Sequence, residues 1–438
     1  MLVAAGGLAV HHAWQIRHQG PTALEVIVSV AFAFLCFTSL APYLHRDVAT
    51  PEPGSRSGRS LARLKVLVVV PAHNEDPAAF VAMLASISAQ TRLPQRVHVV
   101  ENGYPDHRLE VLFEQWAASS VAEGIASTVY SHRGEAGKRD AQAVAIGDAP
   151  DADIIMTVDS DVILDPRAVE DGLAPFVDQR VTAVGGVLLG ANPLRNWLTR
   201  LIELGYVCSF LNGRASWSLL GSVGVHCGGL AFHRGWVVRK YLPHYLTHTV
   251  ASRRMPYGDD AMLTRYGLLE GRSLLQMSAF GYTLHPVNLA HLTRQRVRWW
   301  RSWWWGNIWL LRAFPPTRAI WWLTVANFVR WLWYATAVAA ALIIGPSLTG
   351  IAPWMFVVWL AGVSYVANAR YLAIRRPDQR WYVQVVTFLL APLSSLLHVY
   401  LCSVLQWVGL FTCLDTGWGT RSKVEVRLQS SRNGLVKQ

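Results

Sequence analysis

The chain has 438 residues, 52% hydrophobic and 16% charged, which is too apolar for a purely water-soluble enzyme and long enough for one large domain plus membrane segments. Its formal net charge of +12 does not point to nucleic acid, because the arginines form no tract; they flank apolar spans, where they favour the cytoplasmic side and anionic lipid. The five cysteines (Cys36, Cys208, Cys227, Cys402 and Cys413) are dispersed, odd in number and without a CxxC pair, which argues against a disulfide framework or a zinc site and for a reducing compartment.

In chain order, Met1 to Trp14 is apolar but short for a span, and it lacks the basic start and cleavage site of a secretory signal. It reads as an interfacial helix or the tail of a longer span. Val26 to Leu44 is long enough to cross a bilayer, and Arg46, Arg56, Arg59, Arg63 and Lys65 after it place the following segment in the cytoplasm. Pro51 to Ser60, rich in Pro, Gly, Ser and Arg, reads as a linker. Alternating strands and helices come next: strands over Val66–Val70, Arg96–Val100, Ser127–Tyr130 and Asp153–Val158, with helical spacing over Ala78–Gln90 and Ala136–Gly147. This alternation predicts a doubly wound parallel sheet with ligands at the strand carboxyl ends.

Polar and mixed sequence continues to Arg318, followed by two long apolar segments, Ala319–Ile344 and Ala352–Ala373. The uncharged Gly345–Gly350 between them is expected outside, and Arg375, Arg376 and Arg380 mark a return to the cytoplasm. Trp381–Leu414, broken by Pro392, is too short for two full spans and is expected to enter and return or to lie along the interface. The twenty tryptophans suit a membrane boundary. No internal repeat is present.

The chemistry-bearing motifs all fall in the polar stretch. Asp159-Ser160-Asp161 ends the fourth strand, where carboxylates two apart can face a hard cation; the same triplet also suits a solvated turn or a helix cap. Pro71-Ala72-His73-Asn74-Glu75 and Glu101-Asn102-Gly103-Tyr104-Pro105-Asp106 follow the first two strands on the same rim, suited to a nucleotide base and ribose or to ordinary helix-capping turns. Lys138, in Gly137-Lys138-Arg139 at a helix start, suits a phosphate, or is half of a surface basic pair. Gly258-Asp259-Asp260 precedes a helical pattern; Asp260 is assigned as a general base with Asp259 in support, against the alternative of a helix cap. Gln295-Arg296-Val297-Arg298-Trp299 offers cations for a departing diphosphate and an indole face for a sugar ring. It continues into an Arg/Trp run that also reads as an interfacial amphipathic helix. His226-Cys227-Gly228-Gly229-Leu230 reads either as a loop near an acceptor or as a buried turn.

Together, Asp159-Ser160-Asp161, Gly258-Asp259-Asp260 and Gln295-x-x-Arg298-Trp299 resemble the membrane-embedded, processive family 2 glycosyltransferases, which include cellulose, chitin and hyaluronan synthases. Leu263-Thr264 after the Gly-Asp-Asp, Gly137-Lys138-Arg139 and the terminal Trp418-Gly419-Thr420-Arg421 tilt the resemblance towards hyaluronan synthases; it covers residues 62–421. It implies a GT-A (Rossmann-like) α/β fold, UDP-sugar donors (UDP-N-acetylglucosamine and UDP-glucuronic acid), Mg²⁺ or Mn²⁺, and inversion at the anomeric carbon. It implies metal binding by Asp161 with Asp159, catalysis by Asp260, Asp259 and Arg298, and nucleotide-sugar binding by Ala72, Glu75, Glu101, Lys138, Asp159, Gln295 and Arg296. Trp299, Cys227 and Gly228 would meet the acceptor, a growing polysaccharide exported through the lipid bilayer. Two departures stand out: Glu101-Asn102 where many members carry aspartates, and His226-Cys227-Gly228-Gly229 in place of a Ser-Gly-Pro loop.

The expected organisation is a membrane segment over 1–50, a cytoplasmic catalytic domain over 62–298, a Trp-rich interfacial helix over 299–318, channel helices over 319–414 and a cytoplasmic tail over 415–438, in a multi-pass plasma-membrane protein that binds no nucleic acid. The rivals are an N-acetylglucosamine-only synthase, a membrane transferase adding one sugar, and a non-catalytic nucleotide-sugar binder.

Overall fold

Val66–Ala72 (β1) is apolar on both faces, and a computed structural model buries all of it at the centre of a sheet. Alternate side chains enter different cores: Val66, Val68 and Val70 pack with Phe80, Met83 and Leu84, whereas Leu67 and Val69 pack with Ala141, Ala145 and Met262. Two-sided burial of this kind is what a continuous β-branched run requires. The structure describes residues 23–103, 107–134, 137–343, 353–417 and 426–428. The expectations for Met1–Trp14, Gly345–Gly350 and Trp418-Gly419-Thr420-Arg421 lie outside the described residues.

The remaining strands are β2 (Arg96–Asn102), β3 (Ser127–Arg133), β4 (Ile154–Thr157), β5 (Ile163–Leu164), β6 (Val181–Gly190), β7 (Ala231–Arg234), β8 (Thr249–Val250), β9 (Arg253–Arg254) and β10 (Arg272–Thr283). Eight of them form one sheet in the order β3-β2-β1-β4-β7-β6-β10-β5, and β8 pairs with β9 in a small hairpin. The first half is the expected parallel arrangement, β3-β2-β1-β4. The second half corrects the expectation of a parallel, doubly wound sheet. β7 lies antiparallel between β4 and β6, and β5 is antiparallel to β10, so the sheet is mixed. The physical reason is β7: a short strand, arriving from the loop after His226, fills the gap between two strands that would otherwise need a crossover to pair.

Pro51 to Ser60 is likewise not irregular throughout. Ser55 caps a helix over Arg56–Ala62, its hydroxyl accepting the Gly58 N–H at 2.9 Å. Gly58 is required there, since a Cβ would meet the Glu52 carbonyl oxygen at 2.1 Å.

Asn288 caps a 25-residue helix, Leu289–Ala313, that carries Gln295 to Trp309 without interruption. The boundary expected between 298 and 299 falls inside this helix. It docks on the carboxyl-terminal helices: the Trp300 indole donates to the Leu401 carbonyl at 2.8 Å, and that of Trp304 to the Gln406 carbonyl at 2.9 Å. The apolar segments form helices over Ala23–Leu40, Ala319–Ile343, Pro353–Asn368, Trp381–Leu389, Ala391–Val399 and Leu405–Phe411, the last two joined by a π-helical turn. Among the described residues, the stretch Ala391–Phe411 is long and apolar enough to cross a membrane.

Candidate active site

The carboxyl ends of β1 and β4 and the start of the Gly258 helix converge on a cavity of 270 Å³. Asp159 and Asp161 reach it from the turn after β4, Glu75 from the turn after β1, and Lys138 from the start of helix Lys138–Gly147. Asp259 and Asp260 stand in the first turn of helix Asp259–Glu270. Gly258 precedes them at φ +79°, a conformation glycine adopts freely, and a Cβ there would press on the Trp305 ring at 3.0 Å. Gly258, as the N-cap residue, offers no side-chain cap; the Asp260 carboxylate accepts the Ala261 N–H of the first turn at 2.7 Å, so part of its capacity serves the helix start. Gln295, Arg296, Arg298 and Trp299 enter from the opposite wall on successive turns of the long helix.

Lys138 is the electrostatic centre of this cluster. Its ammonium lies 2.7 Å from Asp159 Oδ1 and 3.1 Å from Asp259 Oδ2, joining the first and second acidic motifs. Burial opposes the Asp259 charge, but Lys138 and Arg139 outweigh it and hold that carboxyl below the usual carboxylate range. Asp260 goes the other way: burial, then the neighbouring Asp259 charge, push it up to about 6. Burial, then Glu75 and Asp159, push Asp161 up to about 7. Arg139, by contrast, turns into the protein, donating to the Tyr245 and Tyr257 carbonyls at 3.2 and 3.0 Å. It braces the chain on either side of the β8–β9 hairpin that leads to Gly258.

The loop expected near an acceptor lies against these carboxylates. A Cβ on Gly228 would stand 3.3 Å from the Asp260 Cβ and 3.4 Å from the Lys138 ammonium, and one on Gly229 would stand 3.3 Å from Asp159. The Cys227 thiol sits 3.3 Å from the Tyr206 hydroxyl, and burial, then Asp159 and Asp260, push its pKa up to about 11, so it is a neutral thiol at pH 7. The Tyr206 ring lies 6.1 Å from that of Trp299, and the Arg296 guanidinium stacks 4.1 Å from the Trp299 ring. Burial draws Arg296 down to about 10, which leaves it cationic.

Of the residues singled out in the sequence, Glu75, Lys138, Asp159, Asp161, Cys227, Gly228, Asp259, Asp260, Gln295, Arg296, Arg298 and Trp299 all line the cavity. Ala72 and Glu101 do not; Glu101 is buried at the end of β2 and accepts the Tyr130 hydroxyl at 2.9 Å. Sequence reasoning missed Tyr206, Tyr257 and His285, which carry no motif, and the stretch 426–428, whose Val426 lines the cavity while the Leu428 N–H donates to Asp76 at 2.9 Å. No local spacing signals Tyr206, His285 or 426–428, which come from distant parts of the chain, whereas Tyr257 directly precedes Gly258-Asp259-Asp260 and adjacency to that motif was the available signal.

A second cavity, of 380 Å³, adjoins the first through shared lining residues. Tyr206, Cys227, Asp260, Arg296 and Trp299 line both. It runs between helix Trp197–Cys208, the long Trp-rich helix and the carboxyl-terminal helices, and holds Arg214, Arg265, Arg296 and Arg330 among mostly apolar residues.

A family model described as glycosyltransferase like family 2 matches residues 62–302, more than half of the chain. The chain belongs to glycosyltransferase family 2. It is 31% identical over 369 residues to a hyaluronan synthase of Streptococcus pyogenes serotype M1, covering 83% of this chain and 84% of that one. It is 28% identical over 406 residues to an N-acetylglucosaminyltransferase of Sinorhizobium fredii (strain NBRC 101917 / NGR234), covering 92% and 94% respectively. The fold is similar to that of a mannosyltransferase from Pyrobaculum calidifontis in complex with GDP-Man and Mn²⁺, with a TM-score of 0.51 and 20% identity over 84% of this chain and 99% of that one. The architecture is therefore a GT-A-like α/β fold with a mixed sheet, and the protein is a glycosyltransferase related to hyaluronan synthases.

Proposed function

We propose that this glycosyltransferase is a processive, inverting polysaccharide synthase of the hyaluronan type, which builds its polymer at the carboxylate-lined cavity and passes it into the second cavity for export across the membrane. The observation that carries this reading is the shared wall: the assigned base Asp260 and the acceptor-side residues Trp299 and Cys227 border both spaces. A sugar joined at Asp260 would already stand at the entrance to the second cavity. The guanidiniums there, Arg214, Arg265, Arg296 and Arg330, suit a polymer that carries carboxylates.

The transfer is a single displacement. Asp260 takes the proton of an acceptor hydroxyl, the oxygen attacks the anomeric carbon, and UDP departs on the opposite face. Arg298 and Arg296 meet the charge that develops on the diphosphate. Trp299 gives the acceptor ring a flat apolar face. Asp259, held ionised by Lys138, keeps that ammonium at the phosphate side of the cavity.

A divalent cation fits the remaining carboxylates. Among the described residues there is no cluster of three or more His, Cys, Asp or Glu side chains close enough to cage a metal alone. Asp161 and Asp159 would hold it together with the diphosphate, and a cation there would offset the burial and the Glu75 and Asp159 charges that raise Asp161. When bound, the cation supplies charge that makes the nucleotide a better leaving group.

For the whole chain, the proposal places residues 62–298 in the cytoplasm, the Trp-rich helix at the membrane surface and the apolar helices of 319–414 in the bilayer, with several passes in the plasma membrane. The test is UDP release and polymer formation by purified protein with UDP-N-acetylglucosamine, UDP-glucuronic acid, or both. Polymer from both donors only, digested by hyaluronidase, is the expected result. Polymer or oligomers from UDP-N-acetylglucosamine alone would replace it with the N-acetylglucosamine-only reading.

A further inference from the structure

Glu203, on helix Trp197–Cys208, is fully buried, and so is the salt-bridged arrangement around it. The Arg376 guanidinium pairs with Glu203 Oε1 and also donates to the Gly190 carbonyl at 2.8 Å and to Asp378 Oδ2 at 2.8 Å. Glu203 Oε2 accepts the Gly190 N–H at 2.7 Å and faces the Nε2 of His285 at 2.9 Å. A buried ion pair seldom stabilises a protein more than apolar packing of the same volume would, so the arrangement calls for a use other than stability. Its position supplies one, because His285 lines the catalytic cavity.

His285 is held on every other side. Its backbone N–H donates to Asn192 Oδ1 at 2.7 Å, and its carbonyl accepts from Asn192 Nδ2 at 3.0 Å. The Tyr206 ring meets the imidazole edge-on, with centroids 5.5 Å apart. Gly190 leaves room for the ring, since a Cβ there would come within 2.6 Å of it. A carboxylate paired with a guanidinium only accepts hydrogen bonds, so Nε2 is the donor to Glu203, and in the neutral imidazole Nδ1 is then the acceptor. With Nε2 committed to Glu203, Nδ1 is the ring nitrogen left for the cavity.

We infer that His285 is a substrate-contacting residue, whose Nδ1 accepts a hydrogen bond from a hydroxyl of the donor's sugar and so fixes that ring beside Tyr206. Glu203, Arg376 and Asn192 set its tautomer and orientation. The inference rests on the nucleotide-sugar reading of this cavity and adds to it a residue that reads the saccharide rather than the nucleotide. It also explains why a charged residue that follows an apolar helix, Arg376, reaches back to the ends of β6 and β10.

The experiment measures binding, so it does not depend on turnover. Titrate the detergent-solubilised full chain with UDP and with UDP-N-acetylglucosamine, at fixed Mg²⁺, for the native protein and for His285→Leu and His285→Gln. Loss of one neutral hydrogen bond should weaken UDP-N-acetylglucosamine about three- to tenfold in the leucine variant while UDP binds as before. The glutamine variant, which keeps an acceptor, should recover part of the loss. An unchanged ratio of the two affinities, including an equal loss for both ligands, would overturn the assignment. Native protein that binds neither ligand would sink the nucleotide-sugar reading and this inference with it; native binding with an unchanged ratio in His285→Leu would sink this inference alone.

Discussion

A proton on Asp260 would block the base role proposed for it, and burial beside Asp259 lifts its pKa to about 6. Below that value the carboxyl is protonated and transfer stops; above it the carboxylate is available. The transfer rate should therefore rise with pH through about 6, measured as UDP release at saturating donor. Asp260→Asn removes the base and little volume, so transfer should fall by at least about a hundredfold while UDP affinity stays within about twofold. Loss of UDP binding in a folded Asp260→Asn protein would instead move Asp260 to the donor side. Arg139 belongs to the same scale but to a different role. It follows Lys138 directly in sequence, yet its guanidinium is spent on two backbone carbonyls. Arg139→Met should cost about 2–4 kcal/mol of stability, read as a lowered denaturation midpoint, because both carbonyls lose a charged donor.

At the scale of elements, the helix Leu289–Ala313 joins two jobs that the sequence presents as one run of Arg and Trp. Gln295, Arg296, Arg298 and Trp299 face the cavity, while Trp300 and Trp304 are buried against the carboxyl-terminal helices. Helical spacing separates the two faces, as a 3.6-residue period must. The contact with helix Leu405–Phe411 is close at Gly409, where a Cβ would meet the Trp300 Cβ at 2.4 Å. Gly409→Val should push the two helices apart, lowering the melting temperature and the transfer rate together, at a cost of about 1–3 kcal/mol. Normal stability and activity in that variant would mean the helices are not clamped there. The acidic and lysine motifs of the cavity were legible because each follows a strand or starts a helix, where a backbone turn aims side chains at one rim; Gln295-Arg296-Val297-Arg298-Trp299, inside a long helix, was legible from its residue types instead. The helix over Arg56–Ala62 and the antiparallel β7 were not legible. The first depends on a serine cap inside a sequence that composition assigns to a linker, and the second on which strand fills a gap, which local periodicity does not encode.

For the molecule as a whole, the sheet that carries the carboxylates meets the apolar helices at residues that line both cavities. Chelation tests the first half: an excess of EDTA should abolish UDP release, and Mg²⁺ or Mn²⁺ should restore it, whereas full activity in chelator would detach Asp159 and Asp161 from any metal. Fractionation tests the second: the chain should remain with membranes after high salt and leave them only in detergent, since apolar contact with lipid is not screened by ions. Release by salt alone would reduce the apolar helices to a surface attachment.

The sequence by itself determined the reaction class and most of the cavity. Carboxylates at strand ends, a glycine before two aspartates and a Gln-x-x-Arg-Trp helix turn have their chemistry in their residue types, and the backbone only has to bring them to one side of a sheet. Tertiary structure alone decided the rest. It tied Lys138 to both acidic motifs, turned Arg139 away, left Ala72 and Glu101 outside the lining, and set His285 and Arg376 around the buried carboxylate of Glu203. Those three residues lie far apart along the chain, and each reads alone as an ordinary polar side chain. Only folding makes them neighbours, and only the loss of water around them makes their charges specify one orientation of one ring.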